Sequence, residues 1–115
     1  MGIFGGNKKA TGEPFEFRVS DAVEVPLRGY LLRLKLLSGE PALGDVGPGK
    51  RIRLRSPDGA ESVVTIKDFS VTQGAPSQKR MDRTRELDVM IEGPDAIVNG
   101  RAVDIGWTAL GPAGD

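Results

Sequence analysis

The arginine and lysine residues of this sequence are spaced in a way that would suit binding to phosphate groups. Arg51, Arg53 and Arg55 alternate, so they share one face if this stretch is a strand. A second group lies in a polar stretch and comprises Lys79, Arg80, Arg83 and Arg85. Arginine donates paired hydrogen bonds to phosphate oxygens. Both groups are therefore candidate contacts to RNA, and Arg28, in a predicted turn, is a further candidate phosphate clamp.

Each basic group also has a plainer interpretation. Charged residues on an alternating strand usually form its solvated face, and Asp82, Glu86 and Asp88 lie close enough in sequence to neutralise the second group. Arg33 and Lys35 occupy the outer face of the preceding predicted strand. If that strand neighbours the one carrying Arg51, Arg53 and Arg55, a cationic ribbon forms on one wall. Both interpretations stay open from sequence alone.

Residues 44–51 come close to a phosphate-binding loop, which ends in Gly, Lys and then Ser or Thr. Lys50 fits, but Arg51 stands where the magnesium-binding hydroxyl belongs. The alternation that follows predicts a strand, not the helix whose N-terminus would hold a phosphate. We therefore expect a connector and no nucleotide hydrolysis.

The carboxylates offer no catalytic arrangement. They cluster in sequence, but no pair stands out with a nucleophile and a base, and several take outward strand positions. The members are Asp68, Asp82, Glu86, Asp88 and Glu92. We interpret them as solvating charge.

Composition narrows the function classes further. The chain has 115 residues, which suits one domain, and its 16 basic and 16 acidic side chains give a formal net charge of zero. It contains neither cysteine nor histidine, which are the usual thiolate nucleophile and the commonest general base and metal ligand. We therefore predict a non-enzyme without cofactor or metal.

The chain shows no apolar run of membrane-spanning length and no signal-peptide pattern at its start, which predicts a cytoplasmic protein that does not enter the membrane.

Alternating apolar residues punctuated by Gly, Pro, Asp and Ser predict an all-β fold. We expect a small closed antiparallel β-barrel of six to seven strands over residues 15–110, a flexible tail over residues 1–14 and a frayed end over residues 111–115. Closure removes exposed sheet edges. The predicted strands span residues 15–25, 30–38, 51–56, 61–72, 84–92 and 101–110.

The pattern also predicts the details between strands. Residues 39–50 and 73–82 are expected to be loops, and Gly93 to open one short helical turn, with no long helix elsewhere. Bulges are expected near residues 20–22 and near Asp68. The inward side chains are expected to be Phe15, Phe17, Val19, Val23, Val25, Leu32, Leu34, Leu36, Ile52, Leu54, Val64, Ile66, Leu87, Val89, Ile91, Val103, Ile105 and Trp107.

The order of strands and turns resembles the second-domain β-barrel of the translational GTPases, such as elongation factor Tu. Asp21 sits like the acidic residue of the family's first strand, and Arg28-Gly29 is similar to its Arg-Gly turn. Residues 97–103 resemble its closing motif of Ile, two residues, Gly, two residues and an aliphatic residue. The chain departs from the family by an insertion between Gly39 and Ile52, and this sequence contains no GTPase domain.

The resemblance implies contact with the aminoacylated end of transfer RNA or with the ribosome, without the family's GTPase activity. Our leading prediction is a non-catalytic binding module for RNA or a ribonucleoprotein. The alternative is a protein–protein interaction domain with no nucleic-acid role, which an exposed apolar patch around Leu31 and Leu37 would favour. The sequence indicates neither the partner's identity nor the oligomeric state.

Overall fold

The computed structural model describes residues 11–69 and 77–113. In this part of the chain, eight strands and one α-helix follow one another, with 3₁₀ turns at Leu43–Asp45 and Pro94–Ala96. The elements are β1 (Phe15–Val25), β2 (Gly29–Ser38), β3 (Arg51–Arg55), β4 (Glu61–Phe69), α1 (Gln78–Thr84), β5 (Glu86–Ile91), β6 (Ile97–Val98), β7 (Arg101–Ala102) and β8 (Thr108–Gly111).

Six of these strands close into an antiparallel barrel in the order β1, β2, β5, β4, β3, β8, while β6 and β7 form a separate two-stranded sheet. The prediction of an all-β closed barrel is confirmed. Because neighbours run antiparallel, the β1–β2 and β3–β4 turns lie at one end. The β2–β3 and β4–β5 connections, including α1, lie at the other.

The barrel interior is filled by the aliphatic and aromatic side chains that the period-two pattern places inward. The edge-to-face ring pair of Phe15 and Phe17, with centroids 5.5 Å apart, lies in this core together with the buried Trp107. The predicted inward residues that are buried are Phe15, Phe17, Val19, Leu32, Leu34, Ile52, Leu54, Val64, Ile66, Leu87, Val89, Ile91, Val103 and Trp107.

Both predicted bulges are present, as register shifts between Val19 and Asp21 and between Ile66 and Asp68. The β1–β2 ladder has a further shift, between Glu16 and Phe17, that the sequence did not predict. After the shift at Val19, Ala22 packs against the core and Val23 is 45% exposed. The prediction that Val23 and Val25 point inward is therefore wrong, because the extra residue reverses the alternation.

The stretch predicted as a loop over residues 73–82 is corrected in its second part, since α1 begins at Gln78. Ser77 caps the helix by accepting a hydrogen bond from the Arg80 N–H, and Gln78 and Met81 are its buried residues. Two inward positions are too few to stand out as helical periodicity. Residues 70–76, which include the predicted end of the fourth strand, lie outside the described residues.

The last predicted strand is also corrected, because only its two ends are strands. Residues 103–107 form a turn in which the Ile105 N–H donates to Asp104 Oδ1 and the Trp107 N–H to the Asp104 carbonyl. This reversal breaks the alternation, so Val103 and Trp107 are buried while Ile105 is 55% exposed.

The connection between β2 and β3 is anchored by the buried carboxylate of Asp45. This carboxylate accepts hydrogen bonds from the N–H and the hydroxyl of Thr11 and from the N–H groups of Gly12 and Ala42, at 2.7–3.0 Å. Thr11 and Gly12 fall in the predicted N-terminal tail, of which residues 1–10 lie outside the described residues. At the other terminus, the Ala113 N–H donates to the carbonyl of Arg51.

No helix in residues 11–69 or 77–113 combines the length and apolar character needed to cross a membrane.

Candidate functional site

Helix α1 presents its basic side chains to solvent because contacts on its buried side fix its orientation. Gln78 Oε1 accepts a hydrogen bond from the Leu43 N–H at 2.6 Å, and Met81 is buried in the core. Lys79 and Arg83 are exposed and stand four residues apart, which is one helical turn. The β2–β3 connection therefore holds α1 with its charged side toward solvent.

The end of α1 joins these cations to the end of β2. Arg85 caps the helix in the left-handed conformation, with φ of 59°, and its N–H donates to the carbonyl of Met81. The carbonyl of Arg85 in turn accepts a hydrogen bond from the Leu36 N–H at 2.8 Å. The exposed side chain of Lys35 belongs to the residue just before Leu36, so strand and helix cations occupy the same end of the barrel.

Strand β1 adds a basic residue that sequence reasoning did not include among the candidate contacts. Arg18 is exposed and lies directly opposite Lys35 in the β1–β2 ladder. Like charges directly opposite each other across a ladder repel and destabilise the sheet. The outward alternation of β1 was visible in the sequence, but the pairing with Lys35 needed the register.

We call Arg18, Lys35, Lys79, Arg83 and Arg85 the basic surface. Within the part of the chain that the structure describes, none of these five side chains takes part in an ion pair. The adjacent carboxylates are Asp82, which accepts a hydrogen bond from Gln78 Nε2, Glu86, which lies opposite Lys35, and Glu16, which lies two residues before Arg18 on the same face of β1. The five cations outnumber these three carboxylates, which suits an anionic ligand.

The β3 arginines belong to a different environment. Arg55 Nε donates to Glu61 at 2.6 Å, and Arg53 Nε lies 3.6 Å from the same carboxylate. Strand β3 pairs with β4 and β8, and β2 pairs with β1 and β5. The condition for a cationic ribbon of Arg33 and Lys35 with the β3 arginines is therefore not met.

Two further basic residues on the barrel strands are Arg51 and Arg33. Arg51 is exposed at the start of β3. Arg33 donates through Nε and Nη2 to Asp88, at 3.0 and 3.2 Å. This hydrogen-bonded pairing with Asp88 raises the pKa of Arg33 above its usual range.

Arg28 is not brought together with the other predicted contacts. It lies in the turn before β2, whereas Arg85 contacts the other end of the same strand at Leu36. At about 3.3 Å per residue, Arg28 and Leu36 are roughly 26 Å apart along the chain. The carbonyl of Arg28 accepts a hydrogen bond from Lys67 Nζ at 3.1 Å.

The buried carboxylate of Asp45 has a structural role, and the acidic residues that the structure describes form no metal site. Burial raises the pKa of Asp45, but hydrogen bonds from Gly12, Ala42 and Thr11 outweigh burial and hold that pKa below its ordinary value of 3.8. Among residues 11–69 and 77–113, no group of three or more His, Cys, Asp or Glu side chains is placed to hold a metal ion.

No protein-family model matches this chain, and no curated protein matches it either. The resemblance to the translational GTPase barrel therefore depends on the order of its motifs alone.

Proposed function

We propose that this protein is a non-catalytic module that binds the phosphate backbone of RNA through its basic surface. The main observation in support is that Arg18 lies opposite Lys35, beside the basic end of α1. Two like charges on adjacent strands repel, and a phosphate placed between them converts that repulsion into attraction. Phosphate contacts dominate the affinity of proteins for nucleic acids.

The scaffold supports such a role. The barrel holds Arg18 and Lys35 on paired strands, and Gln78 and Met81 hold α1 against the same end. Fixed strands lower the entropy lost when a ligand is bound. The motif-based resemblance to the second domain of translational GTPases agrees with an RNA or ribonucleoprotein partner and with a role in the cytoplasm, and it supplies no residue for catalysis.

A protein partner is the alternative, and a separate set of residues favours it. Leu37 is 51% exposed at the end of β2, but Leu31 is only partly exposed, and Arg33 and Lys35 lie between them on the same face. The apolar patch anticipated around these two leucines is therefore interrupted by charge. The protein alternative is supported instead by Val23, which is exposed directly opposite Leu31 in the β1–β2 ladder, and by the exposed apolar residues Leu27 and Ile105.

The test is an NMR titration of ¹⁵N-labelled protein with a pool of short single- and double-stranded RNAs, at low and then at moderate salt. We expect amide shifts at Arg18, Lys35 and residues 79–85 that weaken as salt is added, since phosphate contacts release counterions. The double variant Arg18→Ala/Lys35→Ala should lose most of the response.

The matched control is Arg28→Ala/Arg101→Ala, which removes two exposed cations from the opposite end of the barrel: Arg28 lies in the β1–β2 turn, and Arg101 pairs with Asp58 of the β3–β4 turn at 3.2 Å. It makes the same change in net charge and should bind as the wild type does. An equal loss in both double variants would show that only net charge matters and would overturn the assigned surface. A flat titration at low salt would refute RNA binding.

A further inference from the structure

Strand β1 extends beyond the barrel wall on one side. Its first part pairs with β8 as far as Arg18 opposite Thr108, and two backbone hydrogen bonds then join Val19 to Trp107 and Gly106. Residues 21–25 continue as strand and pair with β2. In the described part of the chain, no strand pairs with residues 21–25 on the side away from β2. They form an open sheet edge.

Backbone groups along this edge point away from β2, toward the side on which a further strand would pair. In an antiparallel pair, alternate residues turn their N–H and C=O groups away from the partner. The Ala22 N–H donates to Oδ1 of the adjacent Asp21 at 3.0 Å, which places residues 22 and 24 in that outward set. A local carboxylate therefore occupies an edge donor that a ladder hydrogen bond would otherwise satisfy.

Exposed apolar side chains surround the edge. Val23 is 45% exposed on its outer face, Leu27 at the tip of the hairpin is fully exposed, and Ile105 lies next to the contact between Gly106 and Val19. Val23 also begins a cross-strand apolar row, since it lies opposite Leu31, which lies opposite Met90. An added strand would cover one end of this row.

The acidic side chains along this edge indicate the charge of the strand that would bind it. Asp21 and Glu24 are both exposed, on opposite faces of the edge. A second copy of this chain would bring a second pair of carboxylates to the same short stretch, which is unfavourable. We propose that this edge binds an extended, basic segment of a partner protein by strand addition.

The register gives the partner's pattern. In an antiparallel strand, successive partner residues face Glu24, Val23, Ala22 and Asp21 in that order. The favoured sequence is therefore a basic residue, an apolar residue, any residue and a second basic residue. On binding, the Ala22 N–H transfers from Asp21 to a carbonyl of the peptide, and Asp21 becomes free to pair with the second basic side chain.

The experiment uses the full chain and the capped peptide Val-Arg-Val-Thr-Lys, with a second peptide in which Glu replaces both basic residues. We expect ¹⁵N amide shifts at residues 21–25 with the basic peptide only. The variant Asp21→Lys/Glu24→Lys should bind about tenfold more weakly, because two exposed attractions become repulsions. The variant Val23→Lys keeps both carboxylates but loses the apolar contact, and it should therefore also bind the basic peptide more weakly.

The matched control Glu13→Lys/Glu40→Lys reverses two exposed charges at the opposite end of the barrel and should bind the peptide as the wild type does. The absence of shifts at residues 21–25 at millimolar peptide would overturn the proposal. So would shifts confined to the basic surface, equal binding of the acidic peptide, or concentration-dependent broadening at residues 21–25 without peptide, which would indicate self-association.

Discussion

Replacing Asp45 by Asn is expected to loosen the end of the barrel that carries α1. The carboxylate accepts four hydrogen bonds, from Ala42 and the Thr11 hydroxyl at Oδ2 and from the Thr11 and Gly12 N–H groups at Oδ1. An amide offers one acceptor oxygen and turns N–H donors toward the remaining N–H groups. If the amide oxygen stays with the buried Ala42 N–H in the Oδ2 position, the two bonds that Oδ1 accepts from the N–H groups of Thr11 and Gly12 are lost.

The expected cost follows from these lost bonds. Hydrogen bonds to charged groups contribute about 1.5–3 kcal/mol each, and the released N–H groups regain some of this from water. We therefore expect Asp45→Asn to lower the free energy of unfolding by about 2–4 kcal/mol, or roughly 10 °C in Tm for a chain of this size. Asp45→Ala should lower the free energy of unfolding by at least as much, because it leaves the buried Ala42 N–H without an acceptor.

The pH dependence has a defined sign. Because the folded-state pKa of Asp45 lies below its ordinary value of 3.8, its contribution is complete above that value and is lost as the pH falls through the folded-state pKa. The stability difference between wild type and Asp45→Asn should therefore shrink steadily as the pH is lowered past 3.8.

The assay is urea unfolding followed by the fluorescence of the single, buried Trp107, at pH 7 and at several acidic values. Asp68→Asn is the matched control, since exposed Asp68 accepts one local hydrogen bond from Phe69 and should change stability by less than about 0.5 kcal/mol. A wild-type-like Asp45→Asn at pH 7, or a deficit that does not shrink with acid, would refute this reasoning.

Two further substitutions test the barrel itself. Gly29→Ala should prevent folding or lower the free energy of unfolding by more than about 3 kcal/mol, because φ is +120° and a Cβ would overlap the carbonyl of Ile91. The control Gly93→Ala places its Cβ in open space and should leave the Tm, measured by circular dichroism, nearly unchanged. Arg33→Met should lower the free energy of unfolding by about 1–3 kcal/mol, because it removes the two hydrogen bonds that the guanidinium donates to the Asp88 carboxylate. An unchanged urea midpoint for Arg33→Met would contradict that role.

Much of the barrel could be predicted because its signal is local. The alternation of Leu32, Leu34, Ile52 and Leu54 identifies their strands and their inward faces without knowledge of the partners. The shifts after Val19 and after Ile66 were visible as breaks in the alternation of β1 and β4, but the break in β1 did not reveal that Val23 would turn outward. That outcome depends on how β1 pairs with β2 after the bulge.

The basic surface could be predicted only in part. Lys79, Arg83 and Arg85 stood out as a charge cluster, although their helix did not, since it buries only Gln78 and Met81. Arg18 was missed because its importance lies in facing Lys35, which is a matter of strand register and leaves no local mark in the sequence. Strand order likewise separates the β3 arginines from β2.

The salt dependence of RNA binding tests the central claim most directly. Fluorescence anisotropy with a labelled RNA pool would measure the binding constant of the wild type, of Arg18→Ala/Lys35→Ala and of Arg28→Ala/Arg101→Ala over a range of salt concentrations. If the five cations of the basic surface contact phosphates, the slope of log K against log salt should be about −3 to −4 for single strands, at about −0.7 per contact. The loss of Arg18 and Lys35 should reduce it by about 1.4, while the control should keep the wild-type slope. A slope near zero, or the same slope in all three proteins, would contradict the claim.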